Sequence, residues 1–219
     1  MTHLTLLARF AAPSLLAALL AGCGHSEPAA QASEANFAHA LNAYLAKRGD
    51  LCLDRSSWPV DVTRAEFTQG SRNATQLPVL EKLGLVASTE VVVDVAASDG
   101  HPSERTQARR YRLTDAGRGY YLAREPHQRA TGRPQADHDL CAARLTLRRV
   151  LAWEPATTHA VGAETVVSYT YNIAPAAWTN DPEARRAFPM VERMVRGEGV
   201  VRLKEGMVLT SQGWQAKDL

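Results

Sequence analysis

Cys52 and Cys141, 89 residues apart, constrain this chain more than any other pair of positions. The chain has three cysteines, and Cys23 closes an N-terminal targeting segment. Arg9 gives that leader a positive charge, and Phe10 to Ala21 is apolar or small apart from Ser14. This run is about half the ~20 residues a spanning helix needs and matches the apolar region of a signal peptide. Small Ala21 and Gly22 then precede Cys23, as cleavage demands. An exported chain meets an oxidising compartment, so the two remaining cysteines, Cys52 and Cys141, are expected to join. Closing so long a loop stabilises a fold by up to about 4–5 kcal/mol on the chain-entropy account. The alternatives are a buried thiol pair or a metal site. His138 and Asp139 lie near Cys141, but no Cys-x-x-Cys or His-x-x-x-His spacing supports zinc, and no metal is expected.

Ser33 to Arg48 predicts a helix. Ser33 can cap it, Phe37, Leu41, Tyr44 and Leu45 form one apolar face, and Gly49 suits the position just past its end. Leu77 to Gly84 predicts a short helix with Pro78 at its first position. The β-branched run Ser88 to Ala96, the Asp99-Gly100 tip and Arg109 to Thr114 predict a hairpin. Thr114 then caps a helix running through Tyr120, Tyr121 and Leu122. Arg124 to Asp139 is polar. Beyond it, Leu145, Leu147, Leu151 and Trp153 share one parity, and Val167, Tyr169, Tyr171 and Ile173 share another. Such alternation predicts half-buried strands, with an antiparallel hairpin around Pro155 to Ala163. Asp181-Pro182-Glu183 is a helix start, Pro189 kinks that helix or begins another, and Glu198 to Thr210 reads as a hairpin turning at Glu205-Gly206.

One internal echo runs through this pattern. Leu77-Pro78-Val79-Leu80-Glu81-Lys82-Leu83 matches Phe188-Pro189-Met190-Val191-Glu192-Arg193-Met194 class for class. Each is followed by a β-rich hairpin and then Leu-Thr-x-x-Gly, at Leu113 to Gly117 and Leu209 to Gly213. Two divergent copies of one helix-plus-hairpin unit would give this echo, and so would coincidence between two amphipathic helices.

Charge and chemistry are sparse. The chain carries 25 Lys+Arg against 23 Asp+Glu, a balance that gives no electrostatic case for nucleic acid. The Arg-Arg pairs at 109–110, 148–149 and 185–186 read as solvated strand or helix faces, with a surface for an anionic ligand as the alternative. No Gly-x-Ser-x-Gly, Ser-x-x-Lys or His-Glu-x-x-His motif occurs, and no catalytic residue or cofactor is expected. Asp137-His138-Asp139 is the one dense titratable cluster. It is a polar loop ahead of a strand, or a general base at an unfamiliar hydrolase or transferase site.

Two stretches resemble known families. Leu20-Ala21-Gly22-Cys23 resembles the lipobox of bacterial lipoproteins, and the whole is similar to proteobacterial envelope lipoproteins. That resemblance implies lipid on Cys23, cleavage before it, and a membrane partner through the anchor. Gly24 after the cysteine resembles the pattern sorted to the outer membrane. Leu80-x-x-Leu83-Gly84-Leu85-Val86, a strand, Asp99-Gly100, a second strand and Tyr111-Arg112-Leu113-Thr114-Asp115-Ala116-Gly117 resemble the wing region of winged-helix proteins of the MarR and PadR kind. The family implies DNA binding through the helix before the wing. Here that helix carries Lys82 as its only base, and export removes the chain from DNA.

The expected fold class is therefore α+β: winged-helix-like helix-plus-hairpin units with antiparallel strands, duplicated if the echo is real. The expected order is a signal peptide over 1–22, the lipidated Cys23 and a flexible tether over 23–32, and a helix plus winged-helix-like unit over 33–139. A β-rich unit with one helix follows over 140–219, packed with the first into one body. The expected role is a non-catalytic, lipid-anchored envelope protein facing the periplasm, with an envelope protein or glycan as partner and no nucleic acid. The second reading is an envelope enzyme near His138.

Overall fold

The computed structural model describes residues 28–95, 103–124, 137–159 and 162–219. The leader, Cys23, the Asp99-Gly100 tip and the interior of the Arg124 to Asp139 stretch lie outside the described residues.

The fold is α+β. Helix α1 (Glu34–Arg48) begins where Ser33 accepts the Asn36 N–H at 3.3 Å. Strand β1 (Asp50–Cys52) follows at once. Gly49 between them keeps a right-handed backbone rather than the left-handed stop expected of it. It is glycine for another reason: a Cβ there would lie 2.5 Å from the Leu145 carbonyl oxygen. Strand β2 (Val60–Thr63) runs through a capping box into α2 (Arg64–Gln69), with Thr63 Oγ1 accepting the Glu66 N–H and Glu66 Oε2 accepting the Thr63 N–H. Helix α3 (Arg72–Lys82) is capped by Ser71, so Pro78 sits inside it rather than at its start. Packing outweighs the lost N–H there, since Leu77 and Leu80 flank the proline fully buried.

Strands β3 (Val86–Val95) and β4 (Glu104–Leu113) pair antiparallel along their full length, and β2 adds to the far edge of β4. This gives a three-stranded sheet in the order β2-β4-β3. Helix α4 (Asp115–Arg118), capped by Thr114, stops well short of Leu122. The expected continuation is instead strand β5 (Tyr121–Ala123), because those residues find ladder partners at 138–140 in β6 (His138–Trp153).

Strands β7 (Thr157–His159) and β8 (Gly162–Pro175) pair antiparallel. A 3-10 turn (Ala177–Asn180) leads to α5 (Pro182–Ala187), where Asp181 Oδ1 accepts the Glu183 and Ala184 N–H groups. Pro189 opens a separate helix, α6 (Pro189–Arg196). Strands β9 (Leu203–Thr210) and β10 (Gly213–Ala216) end the chain.

The larger, curled sheet has seven strands, in the order β1-β6-β8-β9-β10 with β5 beside β6 and β7 beside β8. Bulges at Leu147/Arg149 and Val150/Ala152 break the parity read from Leu145 to Trp153, so Val150, rather than Leu151, turns into the core. Glu205 and Gly206 lie within β9, opposite Val167 and Val166, and the turn falls at Ser211-Gln212 instead. The expected Glu198 to Thr210 hairpin is thus one strand preceded by a loop. This also separates the two halves of the sequence echo. Leu113-Thr114 ends the second strand of its hairpin, whereas Leu209-Thr210 ends the first. The likeness lies in the helices and does not extend to strand pairing.

Two cores form, and they exchange elements across the boundary expected at 139/140. Helix α1 packs on β6 and β10, far along the sequence from the winged-helix-like segment that follows it. Its Phe37 ring sits 5.2 Å from Trp153 and 5.1 Å from Trp214. In return, Trp178, Ala184, Phe188 and Val191 pack with Val62, Leu77 and Tyr111 in the core of the smaller sheet. Tyr44 of α1 also hydrogen-bonds Glu205 of β9.

Burial holds the Glu205 carboxyl above its usual range, Tyr44 partly offsets this, and the charge of Asp218 adds to it. An acid raised in this way binds a proton more readily folded than unfolded. Its contribution to stability is therefore gained as pH falls through the folded pKa and absent at neutral pH. Glu205→Gln keeps an acceptor for Tyr44 and removes the charge. The expected result is a higher thermal midpoint than wild type at pH 7, with the gap closing by pH 4. Melting curves at both pH values check this, and an equal gap at each would count against it.

Candidate functional site

The titratable cluster at 137–139 does not converge. Asp137 and His138 are exposed, whereas Asp139 is buried on the other face of the strand. His138 stacks on Tyr121 with ring centroids 5.3 Å apart. Asp139 Oδ1 accepts the Arg55 N–H at 2.7 Å, and burial pushes its carboxyl above the usual range. The Asp139 side chain is committed to a structural joint, away from His138.

Cys52 and Cys141 are directly opposed in the β1–β6 register and are joined as a disulfide. Arg124 Nη1 lies 2.9 Å from Cys52 Sγ and donates to the Asp50 carbonyl at 3.0 Å. Among the described residues no group of three metal-ligating side chains gathers.

The joint around Asp139 centres on Arg55, a residue the sequence reading passed over. Arg55 is 6% exposed. Its guanidinium donates to Asn73 Oδ1 and Gln76 Oε1 of α3, each at 2.7 Å. Gln76 Nε2 in turn donates to the Ala187 carbonyl at the end of α5. Burial, with repulsion from Arg72, pushes the Arg55 guanidinium down to about 10. No sequence signal marks this residue, since a lone arginine in a mixed segment reads as surface.

The open surface lies on the smaller sheet. The capping box turns the chain from β2 so that Phe67 of α2 stands beside the middle of β4, 38% exposed. Arg109 lies over its ring, 6.0 Å from the centroid. The same guanidinium meets Glu90 at 3.4 Å and Glu81 at 3.7 Å. The Tyr111 hydroxyl, and after it those carboxylates, hold Arg109 in its charged form. Val62, Arg64, Phe67, Glu90, Gln107 and Arg109 line a groove of about 420 Å³. The Thr63-x-x-Glu66 spacing could have revealed α2, and hence Phe67, from sequence.

Two more wing arginines are paired. Arg105 meets Asp94 at 3.1 Å, and Arg110 grips Asp61 with two bonds of 2.7 Å that hold the Asp61 carboxyl below its usual range. Helix α3, which a winged-helix DNA reader would present, leaves only Arg72, Thr75 and Lys82 exposed. Helix α5 packs against it, and Lys82 reaches Glu183 at 2.6 Å.

Comparisons of the chain with protein-family models, curated proteins and solved structures found no match.

Proposed function

We propose that the chain is a lipid-anchored protein of the cell envelope that binds a protein or glycan partner in the groove between α2 and the wing. The observation that carries the binding reading is the groove itself, which sets an exposed aromatic ring beside a fixed guanidinium. Aromatic rings and arginine are the groups that dominate binding surfaces. The packing of α3 under α5 and the pairing of Arg105, Arg109 and Arg110 with carboxylates support a partner other than nucleic acid, which wants free positive charge. The lipobox-like Leu20 to Cys23 and the Cys52–Cys141 disulfide support an oxidising, membrane-bound setting.

Cells fed a clickable fatty acid test the anchor. The expected result is label on the full chain in the membrane fraction and its loss in Cys23→Ser. Label-free, soluble wild-type chain would overturn the anchor. Crosslinking in the same cells tests the groove. Phe67→Ala is expected to cut partner capture at least tenfold while leaving the thermal midpoint within about 2 °C, because Phe67 is already exposed. Unchanged capture would sink the groove.

A further inference from the structure

Strand β3 is the edge of the smaller sheet. The Leu85 carbonyl accepts the Thr114 N–H, so odd-numbered residues of β3 point their backbone groups at β4 and even-numbered ones point away. Ser88 fits this, since its outward N–H is taken by Glu81 Oε1 at 3.0 Å. The root of the edge is thus closed by a side chain. Beyond it, the outward N–H and C=O groups of Glu90, Val92 and Asp94 meet no partner among the described residues. Strand β2 reaches only residues 108–111 of β4, so the ribbon past Val91 stands as two strands. Val92 is 65% exposed and Val95 43% exposed. Open apolar edges recruit further strands, and a two-stranded ribbon gains from one.

We infer that this edge pairs antiparallel with β3 of a second copy, with Val91 on the two-fold axis. Outward-facing residues must meet outward-facing residues, so the axis passes through a residue rather than between two. An axis at Glu90 sets Glu90 against itself, and an axis at Val92 sets Glu90 against Asp94; like charges directly opposed are destabilising. An axis at Ser88 or Thr89 needs the N–H that Glu81 already holds at the centre of the pairing. An axis at Val93 shortens the overlap to Val91–Val95. The axis at Val91 overlaps Ala87 to Val95 and sets Glu90 opposite Val92, Ser88 opposite Asp94 and Val93 opposite Thr89. The acidic residues are spaced so that two copies interleave them with neutral ones. Both copies then present Val91, Val93 and Val95 on one continuous face, and the outward groups of Glu90 and Val92 bond across the axis. The pairing shares Glu90 with the groove, but it requires neither the lipid anchor nor the groove's partner, and its test needs neither.

The test uses the purified full-length chain in detergent, with single substitutions Val91→Cys, Val92→Cys and Val93→Cys under mild oxidation. Directly opposed residues that do not exchange hydrogen bonds have Cα atoms about 4.5 Å apart, within reach of a disulfide, whereas diagonal neighbours are about 7–8 Å apart. Val91→Cys is expected to give at least tenfold more covalent dimer than Val92→Cys, Val93→Cys or the unsubstituted chain. Light scattering across concentration is expected to show a dimer that Val92→Pro and Val92→Glu both convert to monomer. Proline removes an outward N–H without touching the β4 ladder, and glutamate faces Glu90 of the other copy. At concentrations where the wild type is monomeric, Val92→Glu is expected to keep its thermal midpoint, separating lost pairing from lost fold. A monomer at every concentration, a crosslink strongest at Val92→Cys, or a dimer indifferent to Val92→Glu would overturn the pairing.

Discussion

Replacing Cys52 and Cys141 together by serine is expected to lower the thermal midpoint of the chain by roughly 10–15 °C. The bond closes a loop of 89 residues of sequence separation, and that loop holds β2, α2, α3, the wing, α4 and β5. Opening it returns about 4–5 kcal/mol of chain entropy to the unfolded state. For a body of this size each kcal/mol moves the midpoint by about 2–4 °C. Strand β1 has three residues and holds β6 over a short register broken by a shift between Leu51 and Cys52, so its ladder is a weak substitute for the bond. Calorimetry without reductant checks the double variant, and wild type with reductant should match it. A shift under about 3 °C would show that the ladder and the α3–α5 packing suffice without the bond.

Arg55→Ala is expected to cost about 3 kcal/mol, read from denaturant midpoints. The substitution empties a buried site and strands the Asn73 and Gln76 oxygens, each of which loses its 2.7 Å donor. The guanidinium's donors go to neutral amides, and the Asp139 charge attracts it without a recorded hydrogen bond to it. The cost therefore sits at the low end of that for breaking a buried ion pair, about 3–5 kcal/mol. Arg55→Met keeps the stem and sheds the cost of burying a cation, so it should lose less than half as much. Equal losses for the two variants would show that the hydrogen bonds, rather than the packing, matter most. Arg55 links the β1–β2 connection to α3, and Gln76 carries that link to α5, so damage here should loosen both sheets together.

Local signals in the sequence located most elements, and long-range packing decided the rest. Ser33, Thr114 and Asp181 announced their helices because a cap needs only residues within the next turn. Val167, Tyr169 and Tyr171 announced β8 because their alternation records which face is buried. Residues Tyr121–Ala123 read as helix since the partner that makes them a strand lies at 138–140. Glu205-Gly206 read as a turn since glycine weakens a strand, yet β8 supplies a ladder on one side and β10 follows on the other. Of the site, Arg109 was visible only as half of an Arg-Arg pair. Phe67 was legible through its capping box and was missed. Arg55 was not legible at all, because its partners lie 18 and 21 residues on, and Asp139 lies 84 residues on.

Residues 28–31 fold back on the start of α1, where Asn36 Nδ2 donates to the Pro28 and Gln31 carbonyls, each at 2.9 Å. That end of α1 lies beside Trp153 and Trp214, while its other end reaches Leu145 and the disulfide strand. Tension drawn between residue 28 and a load on the chain beyond residue 141 would therefore run lengthwise down α1 before meeting β1. The helix would slide along the sheet as a unit, with every buried side chain resisting at once. Any extension would stop at Cys52, where the covalent clasp to Cys141 hands the force to the long strand β6. The clasp would act as a fixed stop: the wing lies inside the loop it closes and would carry none of that load.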